Sequence, residues 1–258
     1  MELFEAKDIS ASFGQGIDRQ SVFTNANLVL KESCIYDLVG QSGSGKSTLL
    51  RVLARMLGRD SGRLFLDGRS SEDVPTTFWR RSVCLVPQKT ALVAGSVKEN
   101  LLLPWSLKIH EGEMKPADEE LENMLATAGL ADIGLHRDVA QLSGGQAARV
   151  SLLRVFATKP KVLLLDEVDA ALDDETSWAI SSLTSSLVEG KMACLRIRHR
   201  ASDGFAQGIY NLSQGTVSYA DSTVSARKAS PSSKEAAIQE ACSSLGCQTG
   251  ATEERGTS

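Results

Sequence analysis

A glycine-rich loop set between an apolar run and a helical pattern constrains this chain more than any other feature. The stretch GQSGSGKST at residues 40–48 follows the letters YDLV and contains the full phosphate-loop pattern GxxxxGK[ST]. Its glycines let backbone N–H groups turn inward around an anion, and the following helix adds positive potential at its N-terminus. The pattern predicts a strand, a loop and a helix that bind the phosphates of a nucleotide. The residues expected to contact the nucleotide are Gly40, Gln41, Ser42, Gly43, Ser44, Gly45, Lys46, Ser47 and Thr48.

Two acidic residues supply the second part of a hydrolytic site. Asp166 and Glu167 end the apolar run KVLLL, which suits a strand buried on both faces of a parallel sheet. Beside a phosphate loop, Asp166 is expected to hold Mg²⁺ and Glu167 to polarise the attacking water. Lys46 would reach the β- and γ-phosphates, and Ser47 would ligate Mg²⁺. A ligand-free glycine turn and a pair of acids that merely cap a strand are the competing interpretations, and finding both motifs together disfavours them.

Composition argues against several other classes of protein. The chain has 258 residues, 42% hydrophobic and 23% charged, which is typical of a globular domain with a sizeable core. Its net charge of −4 gives no reason to expect nucleic acid as a partner. The five cysteines have no metal-binding spacing and are interpreted as reduced thiols of a cytosolic protein. Neither a signal peptide nor an apolar stretch of membrane-spanning length is apparent, so work at a membrane would require spans from another chain.

Hydrophobic patterning divides the chain into regions. Residues 1–39 alternate short apolar runs with turns and are expected to form strands. Between residues 90 and 135 the strand signals vanish, and residues 117–130 predict a helix that ends at Gly129. From about residue 221 the chain is rich in Ser, Thr and Ala and lacks aromatic residues. Residues 221–258 are therefore expected to be a disordered tail that catalysis does not need.

Five shorter motifs accompany the phosphate loop and the acidic pair. The stretch LSGGQ lies at residues 142–146, directly ahead of a helical pattern. The other four are an aromatic residue near the N-terminus, a glutamine after a strand, an Ala-Leu-Asp loop and a histidine after a strand. They are Phe13, Gln88, Ala171-Leu172-Asp173 and His199. In this order and spacing the motifs resemble those of the ATP-binding subunit of ABC transporters, and the resemblance covers about residues 1–220.

The resemblance implies an α/β fold with a P-loop NTPase core. In that fold a mostly parallel sheet is joined by an N-terminal antiparallel β subdomain. A helical subdomain, here about residues 89–150, is inserted between the glutamine of the Q-loop and the LSGGQ signature. Residues 1–220 would form this ATP-binding domain.

The resemblance also implies the roles of the site residues, with ATP and Mg²⁺ as cofactors. Gln88 of the Q-loop and His199, the switch histidine, would assist Glu167 in catalysis. Gln88 would also ligate Mg²⁺, together with Ser47 and Asp166. The other residues expected to contact nucleotide are Phe13, stacked on adenine, Ser143, Gly144, Gly145 and Gln146 of the signature, and Asp173 of the D-loop.

Two protein partners are implied in the same way. A second cassette, expected to be identical, would bind head to tail, so that the signature of one copy covers the γ-phosphate held by the phosphate loop of the other. A serine hydroxyl, two glycines and a helix N-terminus suit that contact with an anion. A separate transmembrane permease would receive the motion through the helical subdomain. The protein is therefore expected at the cytoplasmic face of a membrane.

One departure from the family concerns the strand before the switch histidine. That strand is usually apolar, whereas here it reads CLRIRH and contains Arg196 and Arg198. Charges inside a sheet are costly unless they are paired or reach an edge. The two arginines are expected to reach solvent at the carboxyl end of the strand or to pair with acids at residues 173–175.

The transported substrate is the least constrained feature. Leu103-Pro104-Trp105 resembles the bacterial iron-export ATP-binding subunit, and the Trp105 ring is expected either at the surface facing the permease or inside the helical subdomain. The hypothesis is iron efflux. Import of a small anion or amino acid remains open, as does a soluble cassette ATPase of a cytosolic assembly such as iron–sulfur cluster assembly.

Overall fold

A mostly parallel sheet carries the predicted phosphate loop. The computed structural model describes residues 1–14, 19–89, 91–170, 172–188, 190–198 and 200–221. Its strands are β1 (Glu2–Phe13), β2 (Gln20–Lys31), β3 (Ile35–Val39), β4 (Ser61–Leu66), β5 (Arg69–Ser70), β6 (Val83–Val86), β7 (Val162–Asp166), β8 (Ala193–Ile197), β9 (Gly208–Ser213) and β10 (Thr216–Asp221). Its helices are α1 (Lys46–Leu53), α2 (Thr76–Ser82), α3 (Val97–Leu102), α4 (Asp118–Thr127), α5 (Gly144–Phe156) and α6 (Asp174–Val188). Short 3-10 turns lie at Ser71–Asp73, Leu103–Ser106, Lys108–His110 and Val139–Gln141.

The larger sheet has the strand order β10-β9-β3-β8-β7-β6 within the described residues. β9, β3, β8, β7 and β6 run parallel, and β10 pairs with β9 in the antiparallel direction at one edge. Every residue of β7 (VLLLD) and of β8 (ACLRI) is buried. Continuous apolar runs of this kind suit strands that are covered on both faces. The predicted buried parallel strand ahead of Glu167 is confirmed.

The smaller sheet is antiparallel, with the order β2-β1-β4-β5, as expected for the N-terminal part of the chain. Phe4 and Phe23 are fully buried and belong to one hydrophobic core with Leu164 of the larger sheet. Tyr210 on β9 also joins the sheets, because its hydroxyl donates to the Val29 carbonyl oxygen at 2.7 Å and accepts from the Val29 N–H at 2.9 Å. The antiparallel sheet therefore packs on the strands that support the phosphate loop.

Helices occupy the interval between β6 and β7, which agrees with the predicted helical insertion. α3 begins at a capping box formed by Ser96 and Glu99, and α4 ends at Thr127, just before Gly129, whose φ is 65°. A second hydrophobic core joins these helices to α5 and to the faces of β7 and β8. Its fully buried members include Val97, Leu101, Leu121, Leu125, Val150 and Leu153. No helix in the described ranges is long and apolar enough to cross a membrane.

Some predictions miss structure or lie outside the described residues. Hydrophobic patterning did not predict α2 or the β9–β10 hairpin, and the hairpin ends at Asp221, the first residue of the expected tail. Residues 222–258 lie outside the described residues, as do Ala171 and His199. The disordered tail and the domain limits of 1–220 and about 89–150 therefore stay predictions.

A charged cluster replaces apolar side chains on the central strand β8. Arg196 is 3% exposed and lies beside Asp37 of β3 in the strand register. Its Nε donates to Asp37 Oδ1 at 2.6 Å, and its Nη2 donates to Asp203 Oδ1 at 2.7 Å. Arg198 donates to the other carboxylate oxygen of Asp203, and its Nε lies 3.5 Å from Asp169 Oδ2. Two arginines and three aspartates thus share the interior beneath the end of β8.

The expectation that Arg196 and Arg198 reach solvent or pair with acids at residues 173–175 is wrong. Their partners are Asp37 on β3, Asp169 before α6 and Asp203 after β8, because these three carboxylates face the same interior. Burial disfavours the charged form of Arg196, but its hydrogen bond to Asp203 and the charge of Asp37 outweigh burial and raise the Arg196 pKa. Burial likewise opposes ionisation of Asp203, yet bonding to Arg196 lowers the Asp203 pKa. Arg196 and Asp203 therefore favour their charged forms, and loss of either one leaves an uncompensated buried charge.

Replacing Arg196 with Met should destabilise the fold strongly. Arg196→Met leaves Asp37 and Asp203 without their shared partner, and we expect a loss of about 3–5 kcal/mol in the free energy of unfolding measured with urea. Arg19→Met is the control, because Arg19 pairs with Asp60 through a side chain that is 56% exposed. Arg19→Met should lower the free energy of unfolding by less than about 1 kcal/mol. Equal losses in the two variants would contradict a structural role for the buried Arg196 charge.

Candidate functional site

The phosphate loop connects β3 to α1 and closes around the Lys46 side chain. Lys46 is buried, and its Nζ donates to the carbonyl oxygens of Gly40 at 2.9 Å and Gln41 at 3.0 Å. Gly45 caps α1 with a φ of 100°, and a Cβ there would collide with Val22. Glycine is thus required at this position both by the backbone and by packing.

The Ser44 hydroxyl in the same loop suggests what the loop binds. Ser44 Oγ is buried and has no hydrogen-bond partner among the described residues. A buried hydroxyl without a partner is costly, and a ligand oxygen would satisfy it. The loop therefore suits an anion such as a nucleotide phosphate.

Ser47 and Asp166 meet where the phosphate loop faces the carboxyl end of β7. Ser47 Oγ donates to Asp166 Oδ1 at 2.8 Å, and Asp166 is 5% exposed. Hydroxyl and carboxylate oxygens are ligands that Mg²⁺ prefers. No cluster of three or more His, Cys, Asp or Glu side chains suited to a metal occurs among the residues the structure covers. A cation at this site would therefore be held by these two protein oxygens and by oxygens of a bound nucleotide.

Gln88 and Glu167 are brought together by the parallel pairing of β6 and β7. The register places Val86 beside Leu165, so the residues that follow these two strands emerge at the same edge of the sheet. Gln88 Nε2 donates to Glu167 Oε2 at 2.9 Å. Glu167 has a φ of 52°, which is uncommon for a residue with a side chain, and the chain turns there directly after β7. The predicted water-polarising carboxylate and the Q-loop glutamine are thus hydrogen-bonded neighbours.

The LSGGQ signature forms the N-terminus of α5. Ser143 is the N-cap: its Oγ accepts from the Gln146 N–H at 3.2 Å, and Gln146 Oε1 accepts from the Ser143 N–H at 2.9 Å. This capping box fixes the serine hydroxyl as an acceptor and leaves its proton to donate. No hydrogen bond among the described residues joins the signature to the phosphate loop of the same chain.

Asp173 caps the neighbouring helix α6. Its Oδ1 accepts from the Thr176 N–H at 2.8 Å and its Oδ2 from Thr176 Oγ1 at 3.0 Å. The bond from the Thr176 N–H is the main cause of the lowered Asp173 pKa. Thr176 also packs on the signature, since a Cβ at Gly145 would lie 2.6 Å from Thr176 Cγ2. Sequence patterning missed Thr176, although Asp173 directly ahead of a helix is an N-cap signal, and an N-cap side chain accepts from the N–H two or three residues later.

The remaining predicted residues divide between exposed and undescribed positions. Phe13, the last residue of β1, is 51% exposed, as a ring that stacks on a bound base would be. His199 and Ala171 lie outside the described residues, so their roles stay predictions. The structure therefore gathers the phosphate loop, Asp166, Gln88 and Glu167 at one edge of the sheet, whereas the signature begins a separate helix.

Comparisons with known proteins agree with this geometry. The sequence model of a family described as ABC transporter matches residues 23–170, more than half of the chain. The probable iron export ATP-binding protein FetA of Escherichia coli (strain K12) is 31% identical over 179 residues, 69% of this chain and 78% of that protein. Methionine import ATP-binding protein MetN 1 of Pseudomonas fluorescens (strain Pf0-1) is 37% identical over 172 residues, 64% of this chain but only 50% of that protein.

A solved structure is similar over most of its length. It is described as the dimeric structure of a post-hydrolysis state of the ATP-binding cassette MJ0796 bound to ADP and Pi. It aligns with a TM-score of 0.73 at 27% identity and covers 85% of this chain and 98% of that chain. The similarity therefore extends over most of the fold.

Two adjacent glycines in the signature allow a matched test of its packing. Gly145→Ala should move the start of α5 away from Thr176 and lower the free energy of unfolding by about 1–3 kcal/mol. Gly144→Ala meets nothing within 4 Å. It should be neutral or stabilising by up to about 1 kcal/mol. Urea unfolding without nucleotide checks both, and equal stability of the two variants would show that the contact with Thr176 does not constrain the signature.

Proposed function

Because this chain belongs to the ABC transporter family, we propose that it is the ATP-hydrolysing subunit of a transporter whose membrane spans are in a separate permease chain. The chain is an ATPase cassette, and the proposal concerns which residues act and what the cassette drives. The observation that carries it is the convergence of the phosphate loop, the Ser47–Asp166 pair and the Gln88–Glu167 pair at one edge of the sheet.

The proposed chemistry follows from these positions. Lys46 and the loop N–H groups bind the β- and γ-phosphates, and α1 directs its positive end toward them. Ser47 and Asp166 would hold Mg²⁺, with Gln88 as a further ligand, and the ion would neutralise charge on the transferred phosphoryl group. Glu167 orients the attacking water and accepts its proton. His199 would contact the γ-phosphate, and Phe13 would stack on adenine.

Two substitutions should separate binding from hydrolysis. Lys46→Ala removes the charge that meets the phosphates and should lose both ATP binding and turnover. Glu167→Gln keeps the shape but cannot accept a proton, so ATP should bind normally while kcat falls by about 10²–10⁴-fold. Glu122→Gln, on an exposed face of α4, is the control and should retain the wild-type rate. Normal turnover by Glu167→Gln would rule out the role assigned to that carboxylate.

The signature supports the proposal of a head-to-tail dimer. Ser143 retains a proton to donate, and the thirteen-residue helix α5 behind it adds positive potential at its N-terminus. These groups suit a γ-phosphate that another copy presents. A solved relative is described as a dimer bound to ADP and Pi. ATP would then join two copies, and hydrolysis would release them.

Size-exclusion chromatography should detect this dimer. Glu167→Gln chains with ATP should elute as a dimer, because the nucleotide stays intact between the copies. Adding Ser143→Arg should return them to monomers, since the larger side chain fills the phosphate position. Ser218→Arg, on the exposed edge strand β10, is the control for an added arginine and should leave the dimer unchanged. A nucleotide-loaded Glu167→Gln protein that stays monomeric would argue against homodimerisation.

A groove on the helical side supports a permease partner at the cytoplasmic face of a membrane. It has a volume of about 460 Å³ and lies between α2, the 3-10 turns after α3 and the end of α5. Pro104, Leu107, Ile109 and Val155 give it apolar walls, and four cations surround them: Arg80, Arg81, Lys108 and Arg154. We propose that it receives a cytoplasmic helix of the permease with an apolar anchor and flanking carboxylates.

The Trp105 ring does not line that groove. It is half-buried, its centroid lies 5.7 Å from that of His110, and its Nε1 is buried without a partner among the described residues. Pro104 lines the groove instead, at the start of the 3-10 turn that follows α3. The ring therefore contacts His110, a residue of the groove wall, and both expectations for Trp105 stay predictions.

Iron efflux is the proposed transport activity. Its support is the LPW stretch and the 31% identity to a protein named as a probable iron exporter. Import of an amino acid is the second candidate, because a methionine import protein is 37% identical. Deleting the gene should raise cellular iron and sensitivity to iron and peroxide, and restoring the wild-type gene but not the Lys46→Ala gene should reverse both. Unchanged iron with lost uptake of another solute would contradict efflux, and co-purification without any membrane protein would favour a cytosolic assembly.

A further inference from the structure

Three arginines at alternate positions run from β8 past its end toward the catalytic edge. Arg196 lies within β8, and Arg198 and Arg200 flank the predicted switch histidine. The first contributes to the buried cluster described above. The other two contact the chain between Glu167 and α6, which Arg196 does not.

Arg198 holds the beginning of that segment. Its Nε lies 3.5 Å from Asp169 Oδ2, and Asp169 is 5% exposed and follows Glu167 by two positions. Ser177 of α6 donates to the same oxygen at 2.7 Å. The Asp169 carboxylate is thus hydrogen-bonded to α6 and lies within ion-pair distance of Arg198, whose Nε makes no hydrogen bond within the described residues.

Arg200 holds the end of the segment. One guanidinium nitrogen donates to the Leu172 carbonyl oxygen and another to the Asp174 carboxylate. Leu172 directly precedes Asp173, the residue that caps α6. A planar guanidinium can fork to two such acceptors at once, whereas a lysine ammonium is a single point of charge.

The two hydrogen bonds of Arg200 are expected to differ in how much they constrain the chain. Asp174 has a side chain that is 98% exposed, so its ion pair with Arg200 is screened by solvent and contributes little. The Leu172 carbonyl belongs to the backbone of the turn itself, so a bond to it fixes the path of the chain. The backbone bond is therefore the one expected to affect the site.

We propose that Arg198 and Arg200 are positioning residues for ATP hydrolysis, which hold Asp169 and Leu172, between Glu167 and α6, against the end of β8. Glu167 and Asp173, which flank these two residues in the sequence, would thereby keep a fixed relation to the end of β8. The inference rests on the proposed catalytic role of Glu167. Neither arginine contacts the nucleotide in this proposal, and both act by fixing backbone position.

The test compares Arg200→Gln with Asp174→Asn in the full-length chain. Arg200→Gln should lower kcat by about 10-fold, with the KM for ATP within about two-fold and the thermal unfolding temperature nearly unchanged. Asp174→Asn removes only the exposed partner and should keep kcat within about two-fold of the wild type. Arg200→Lys should not restore the rate. Wild-type kcat in Arg200→Gln, or an equal loss in Asp174→Asn, would overturn the proposal.

A double substitution tests whether the two arginines act on one segment. The kcat losses of Arg198→Lys and Arg200→Gln should combine to less than their product, because one released segment cannot be released again. A multiplicative loss would overturn the shared role. If Arg198→Lys does not fold, Arg200→Gln decides alone. The proposed function is judged separately. Normal activity of Glu167→Gln would contradict the proposed function. Loss of activity in Glu167→Gln together with full activity of Arg200→Gln would contradict only this inference.

Discussion

The hydrogen bond from Ser47 to Asp166 is the contact on which the site depends. It ties the first turn of α1 to the end of β7, two elements separated by 119 positions in the chain. The bond exists because β3 and β7 run parallel on either side of β8, so the loop after one and the carboxylate ending the other share an edge of the sheet. Gln88 and Glu167 reach the same edge through the pairing of β6 with β7. A magnesium nucleotide would thus meet groups that the sheet has already placed.

The same sheet carries an unusual amount of buried charge. Arg196 on the central strand is satisfied by Asp37 and Asp203, an arrangement that apolar side chains could replace without loss of stability in many proteins. Arg198 and Arg200 extend this row of arginines to the chain that follows Glu167, and we propose that they position it. The same row of three arginines would then contribute both to fold stability and to the geometry of the catalytic site.

Sequence patterns predicted the parts of the fold that depend on local information. The phosphate loop, the buried run before Asp166 and the glycine after α4 each contain their signal within a few residues, and the structure places them as expected. The partners of Arg196 could not be predicted, since Asp37 lies 159 positions away and pairs only through the strand register. The sequence predicts that Gly145 lets a phosphate approach. Its contact with Thr176 could not be predicted, because that contact depends on how α5 and α6 pack. The contact between the Trp105 and His110 rings likewise could not be predicted from the LPW letters.

The central claim is that a complete site needs the phosphate loop of one chain and the signature of another. Mixing Lys46→Ala chains with Ser143→Arg chains tests it directly, because only a mixed pair contains one intact combination. Each variant alone should be inactive, and an equimolar mixture should regain about a quarter of the wild-type ATPase rate if the two sites of a symmetric dimer act independently. A mixture no more active than its separate components, or full activity of Ser143→Arg alone, would contradict the account.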